Sequence, residues 1–188
     1  MQRFYTEAMA TLVAPITVKE WLALPTVESD GQTELIDGEI VSMAKTNSLH
    51  EKTKNRIAKA LFGHMASHPL GEVYVETAFE LDEDFAPQPD VAVLIPDRPA
   101  NADAPFRGGP ELVFEVVSSE EARHLQRKVD KYFSSGSQVV VAVYPDIPMF
   151  WVMTPDGLAK RLNLGDTFTA PTLLPGFELP LKSLFPTE

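Results

Sequence analysis

The stretch ELVFEVVSSEEARHLQRKVDKYFSSGSQVVVAVY, residues 111–144, decides the architecture. It contains two apolar runs, Leu112-Val113-Phe114-Glu115-Val116-Val117 and Val139–Tyr144. Both are rich in β-branched residues, which suit strands covered on both faces. Between them Leu125, Val129, Tyr132 and Phe133 form an apolar stripe at helical spacing, and Gly136 is a natural stop. Ser118 with Glu121 makes a capping-box pattern that opens this helix. The order strand, helix, strand predicts two parallel strands joined by a right-handed crossover.

Working outward, Val91–Ile95 and Glu72–Leu81 read as further strands. The Pro- and Gly-rich segment 96–110, PDRPANADAPFRGGP, reads as a long loop. From Ser48 to Ser67 the spacing of Ile57, Leu61 and Met65 predicts a helix, with His50 two turns before Ile57 on the same face. Glu34–Met43 reads as a hairpin turning at Asp37-Gly38, and Thr17–Leu24 as a short helix. Towards the C-terminus, Met149–Met153 and Leu158–Leu162 suggest an antiparallel pair around Pro155-Asp156-Gly157, and the ending PTLLPGFELPLKSLF a loop with a terminal turn. The expectation is an α/β (mixed α+β) fold with one central mixed sheet flanked by helices. Residues 1–15 read as a leader and 16–188 as one domain.

Glu115 is the most informative residue, because it interrupts an otherwise apolar strand. A carboxylate buried there needs a cation or strong hydrogen bonds. Asp90, in Gln88-Pro89-Asp90-Val91, stands at the entry of the strand VAVLI, a position where Asp is otherwise an ordinary turn residue. Two acids at the margins of adjacent strands would offer the hard oxygen donors that Mg²⁺ or Mn²⁺ requires. Lys128 borders the apolar stripe of the helix that follows Glu115, and Gln126 on the other border is the competing candidate. His50 is placed inward, where a lone histidine is more often a hydrogen-bonded core residue, and Glu34 is unremarkable taken alone. His64 and His68 show no persuasive ligand spacing. Phosphate-cradling Gly-rich loops, a dinucleotide fingerprint, HExxH and a G-x-S-x-G nucleophile elbow are all absent from the sequence.

The totals constrain partners. The 188 residues suit one domain with a sizeable core. Without cysteine there are no disulfides or thiolate sites, so a reducing cytoplasm is the expected location. No apolar run approaches the roughly 18 residues that cross a bilayer, so no membrane partner is expected. The net charge of −11 argues against indiscriminate nucleic-acid binding. Segments 45–59 and 123–131 nonetheless gather Lys45, Lys52, Lys54, Arg56, Lys59, Arg123, Arg127, Lys128 and Lys131, against Glu51 and Asp130 only. They could focus a polyanion, or simply be two solvated helix faces.

Taken in order, ELIDGE (34–39), His50 opening a helix, QPDVAV (88–93), ELVFEVVS (111–118) and a helix carrying Lys128 and Tyr132 make a series. In this series the chain resembles the Uma-two-like family of restriction endonucleases, within the PD-(D/E)XK nuclease superfamily. The likeness runs from about Ile16 to Phe185, including the ending LLPGFELPLKSLF; no single motif is specific, but their order and spacing are. It implies a restriction-endonuclease-like core and a metal-dependent endonuclease acting on DNA. Asp90 and Glu115 become ligands of Mg²⁺ or Mn²⁺. The superfamily's lysine, usually two residues after the glutamate where Val117 stands here, becomes Lys128 on the following helix. Glu34 and His50 match an acid and a helix-opening histidine of the family. One departure is His124, where the family commonly has an aspartate four residues before the lysine. That departure and the net charge keep open an inactive nuclease-fold module that binds nucleic acid or a protein. Because cutting both strands of a duplex favours paired sites, a homodimer is the expected assembly.

Overall fold

The computed structural model describes residues 14–25, 33–42, 47–96, 98–99, 101, 104–117 and 122–185. The leader up to residue 13 and the capping-box pair Ser118 and Glu121 lie outside the described residues. In chain order the elements are α1 (Val18–Leu22), β1 (Thr33–Ile36), β2 (Glu39–Ser42), α2 (Ser48–Ser67), β3 (Glu72–Val75), β4 (Phe79–Glu80), β5 (Val91–Leu94) and β6 (Phe106–Arg107). There follow β7 (Leu112–Val116), α3 (Ala122–Ser134), β8 (Val139–Tyr144), β9 (Met149–Met153), β10 (Ala159–Asn163), β11 (Thr167–Phe168), β12 (Leu179–Pro180) and α4 (Leu181–Leu184).

A six-stranded mixed sheet in the order β10-β9-β8-β7-β5-β3 forms the centre. The β7–α3–β8 unit is parallel, in register from Leu112↔Val139 to Val116↔Val143, as the reading of 111–144 requires. Every other neighbouring pair in the sheet is antiparallel. Alternation along β7 sends Phe114 and Val116 to one face, where they pack with Ile57 and Leu61 of α2 and with Leu174, Leu181 and Leu184 from the C-terminal segment. Val113 points to the other face and meets Val129 and Tyr132 of α3. Glu115 shares that parity, which aims it at α3. No helix among the described residues is long and apolar enough to cross a membrane.

The departures from the sequence reading are local. The run Glu72–Leu81 is not one strand, because Glu76 takes a left-handed φ of 47° that ends β3 before β4 begins. The segment 96–110 carries β6, which pairs in parallel with β4. The C-terminal segment is more ordered than a loop: β12 pairs with β11, and α4 follows it directly. The hairpin does turn at Asp37-Gly38, both with positive φ, and a Cβ on Gly38 would come within 2.5 Å of the Pro15 side chain. Leu35 exchanges backbone hydrogen bonds with Ala86, so the hairpin is tied to the segment that leads into Asp90.

Candidate active site

Asp90 lies one residue before β5. The β5–β7 register runs Val93↔Leu112, Ala92↔Val113, Val91↔Phe114, and one further step sets Asp90 opposite Glu115. Residues opposed in this way share a face. The Val116 N–H donates to Asp90 Oδ2 at 2.6 Å, which holds the aspartate against the strand end beside Glu115. Two acids 25 residues apart in the sequence rows are thus neighbours at one end of the sheet.

Helix α3 closes over them. Tyr132 Oη donates to Glu115 Oε1 at 2.8 Å, and Lys128 Nζ lies 3.6 Å from the same oxygen. One turn separates Lys128 from Tyr132, so both reach Glu115 from one helix face. Lys128 Nζ also donates to Glu34 Oε1 at 2.7 Å, and that oxygen accepts the Gln88 N–H at 2.7 Å. The hairpin's docking therefore delivers Glu34 to the lysine. From α2, His50 Nε2 lies 3.4 Å from Asp90 Oδ1. Glu34, His50, Asp90, Glu115 and Lys128 are each between 3% and 7% exposed, so their charges depend mainly on one another.

Three carboxylates face one lysine ammonium here. Burial pushes the Glu115 carboxyl up to about 8; Lys128 pulls it down, Glu34 and Asp90 push it further up, and the Tyr132 hydrogen bond lowers it. Burial and the adjacent Glu115 and Glu34 hold the Tyr132 phenol well above its ordinary range, so it stays a proton donor. A small cleft lined by Glu115, Val116, Val117, Leu125 and Lys128 opens from the cluster to solvent. Among the described residues, no three or more His, Asp and Glu side chains form a ready-made metal shell. The donors that fit a small hard cation are the Asp90 and Glu115 carboxylates, and such an ion would favour the ionised form of Glu115. Mg²⁺ and Mn²⁺ accept one or two protein carboxylates when water and phosphate oxygens fill the remaining positions.

Other expectations fare differently. Gln126 is exposed and bonded to Asp130 at 2.9 Å, so it does not compete with Lys128. Much of the basic locus is engaged by acids and carbonyls of the same chain. Lys54 and Lys128 are buried in ion pairs, Arg127 pairs with Asp37, Lys131 with Asp82, and Arg56 donates to the Leu184 carbonyl. His64 and His68 stack on each other at the opposite end of α2 from His50. Sequence reasoning gave no site role to Tyr132, Lys54, Glu51 or Glu76. Tyr132 was legible as the residue one turn beyond Lys128, and Lys54 as the residue one turn beyond His50 on the buried face of α2. Lys54 is 3% exposed and donates to Glu51 at 2.8 Å and to Glu76. Burial works against its charge, but the bonds to the two glutamates prevail and raise its pKa.

A family model described as "Uma2: Putative restriction endonuclease" matches residues 18–182. No curated protein matches the chain. Among solved structures, the chain is similar to one described as a "putative nuclease belonging to DUF820" from Anabaena variabilis. The two superpose with a TM-score of 0.79 at 20% identity, over 91% of this chain and 98% of that one.

Proposed function

The chain belongs to the Uma2 restriction-endonuclease family, and we propose that it is a divalent-metal-dependent endonuclease that hydrolyses DNA phosphodiester bonds. The observation that carries this reading is the meeting of Asp90, Glu115, Lys128 and Glu34 at one sheet end, beside an opening to solvent. Asp90 and Glu115 would hold Mg²⁺ or Mn²⁺. When bound, the ion supplies polarisation of the scissile phosphate and offsets charge that develops on it.

The chain's own groups do the rest. Lys128 Nζ, anchored by Glu34, stands at the mouth, where its positive charge would act on a water or a phosphate oxygen. Glu34, already the lysine's acceptor, is the candidate to receive the water's proton. Tyr132 fixes the orientation of Glu115, and His50 of α2 flanks Asp90. A homodimer would present two such centres to the two strands of a duplex.

The test is incubation of the purified protein with plasmid, linear and single-stranded DNA in Mg²⁺ and in Mn²⁺. Cleavage by the wild type that vanishes in Asp90→Ala supports the reading; intact DNA under all these conditions removes it. One observation favours a second reading, an inactive binding module: His124 occupies the place of the family's supporting aspartate. Salt-sensitive DNA binding without cleavage would select that module, and absence of both would point to a protein partner.

A further inference from the structure

Behind Asp90, on the side away from Glu115, lies a second set of charged groups that the proposed chemistry does not use. The β3–β5 register ends at Val75↔Val91, and one more step brings Glu76 opposite Asp90. Glu76, Asp90 and Glu115 therefore form one row across three adjacent strands. Glu76 leaves the strand there with φ 47°, a conformation non-glycine residues adopt at a cost, and its N–H donates to the Asp90 carbonyl at 3.3 Å. Its carboxylate is taken by the buried Lys54 of α2. The same Lys54 Nζ donates to Glu51 Oε1 at 2.8 Å, that oxygen lies 3.7 Å from His50 Nδ1, and His50 Nε2 lies 3.4 Å from Asp90 Oδ1.

The contacts close into a loop that begins and ends on Asp90. One arm runs from Lys54 through Glu76 to the Asp90 backbone. The other runs from Lys54 through Glu51 and His50 to the Asp90 carboxylate. A lysine ammonium inside a protein is expensive to desolvate, and a surface pair would have stabilised the same helix at less cost. Neither Lys54 nor Glu76 reaches the opening beside Glu115 and Lys128.

We propose that Lys54 and Glu76 are positioning residues for the metal ligand Asp90, setting its backbone and its carboxylate from two directions at once. The inference rests on Asp90 being a ligand, as argued above. Loss of groups that orient a ligand typically weakens metal binding by about 10- to 100-fold.

The experiment is Mn²⁺ titration of the wild type, Lys54→Met, Lys54→Arg, Glu76→Gln and Glu76→Gly, followed by calorimetry and by Mn²⁺ electron paramagnetic resonance. Thermal melts are recorded on the same samples, and cleavage is followed over a range of Mn²⁺ concentrations. Lys54→Met and Glu76→Gly are expected to weaken Mn²⁺ binding about 10-fold or more. The Mn²⁺ needed for half-maximal cleavage should rise in parallel. Glu76→Gly relieves the left-handed φ, so it tests the role of the carboxylate without adding backbone strain. Glu76→Gln and Lys54→Arg, which keep a hydrogen bond between the two positions, are expected to recover most of the lost affinity. Folded variants that bind Mn²⁺ as the wild type does would overturn the positioning role while leaving the endonuclease reading standing. A wild type that binds no Mn²⁺ at all would remove both.

Discussion

Lys128 and Glu34, 94 residues apart in the chain, meet at 2.7 Å in the interior, and the same ammonium lies 3.6 Å from Glu115. One cation thus links the N-terminal hairpin to the central sheet. Removing it leaves two buried carboxylates without their nearest counter-charge. Lys128→Met is expected to lower the stability of the metal-free protein by ~3 kcal/mol. Added Mg²⁺ or Mn²⁺ should return part of that loss, because an ion at Asp90 and Glu115 takes over the role of counter-charge. On the proposed reading, cleavage should still fall roughly 10²-fold at saturating metal, because that reading gives Lys128 the charge that acts on the reacting phosphate. Denaturant melts with and without metal, paired with cleavage rates, check both halves. A variant as active as the wild type would take Lys128 out of the chemistry.

On the proposed reading Asp90 has two duties that one substitution can separate. Its Oδ2 accepts the Val116 N–H, a structural bond, while the charge of the carboxylate is what a cation needs. Asp90→Asn can keep an oxygen facing Val116 while it removes the charge and puts an amide NH2 in place of the oxygen facing His50. It is expected to melt close to the wild-type temperature yet neither bind Mn²⁺ measurably nor cut DNA. Asp90→Ala should lose the bond as well and cost about 1–3 kcal/mol more stability, because a buried N–H is left unmet. Should Asp90→Asn bind Mn²⁺ normally, the ligand assignment fails.

The sequence revealed the local framework of this site better than its connections. The apolar runs around Glu115 and at Val139–Tyr144 were legible because both strands are buried on both faces, which leaves few polar positions to blur the pattern. Helix α2 was legible from Ile57, Leu61 and Met65, which all pack in the core. Glu76 was hidden because its left-handed backbone is imposed by neighbours distant in sequence, and nothing local in YVETAFE announces it. The Lys54–Glu76 and Lys128–Glu34 pairs were hidden for the same reason: charge partners 22 and 94 residues apart carry no periodicity. Tyr132 was read as core, which is correct for its ring, but its hydroxyl alone reaches Glu115. Composition cannot separate the two halves of an amphipathic side chain.

Tyr132→Phe removes that hydroxyl and little else. The bond it makes lowers the Glu115 pKa, so its loss should raise that value further above about 8. Stability should fall by ~1 kcal/mol. Mn²⁺ affinity near neutral pH should weaken, because a proton competes better for the carboxylate, and the deficit should shrink as pH rises. Calorimetric titration of both proteins across pH 6–9 gives the comparison, with the range set about the wild-type value. An equal deficit at every pH would mean that Tyr132 only packs.

The Glu115 carboxyl itself predicts how the metal-free protein responds to pH. Its folded value of about 8 lies above the ordinary 4.5, so folding favours the protonated form. Its contribution is therefore fully present below pH 4.5 and is lost as pH rises through about 8. Between these limits each step upward in pH should erode stability, because the unfolded chain releases the proton first. A divalent ion reverses the sense, since it binds the ionised form; the thermal shift it produces should be larger at pH 8 than at pH 6. Glu115→Gln, which cannot ionise, should show a flatter metal-free profile over this window and little shift on adding Mn²⁺. Melting temperatures of the two proteins, with and without Mn²⁺, supply the four curves. Parallel metal-free profiles would show that Glu115 is ionised in the fold without an ion, held by Lys128 and Tyr132 alone.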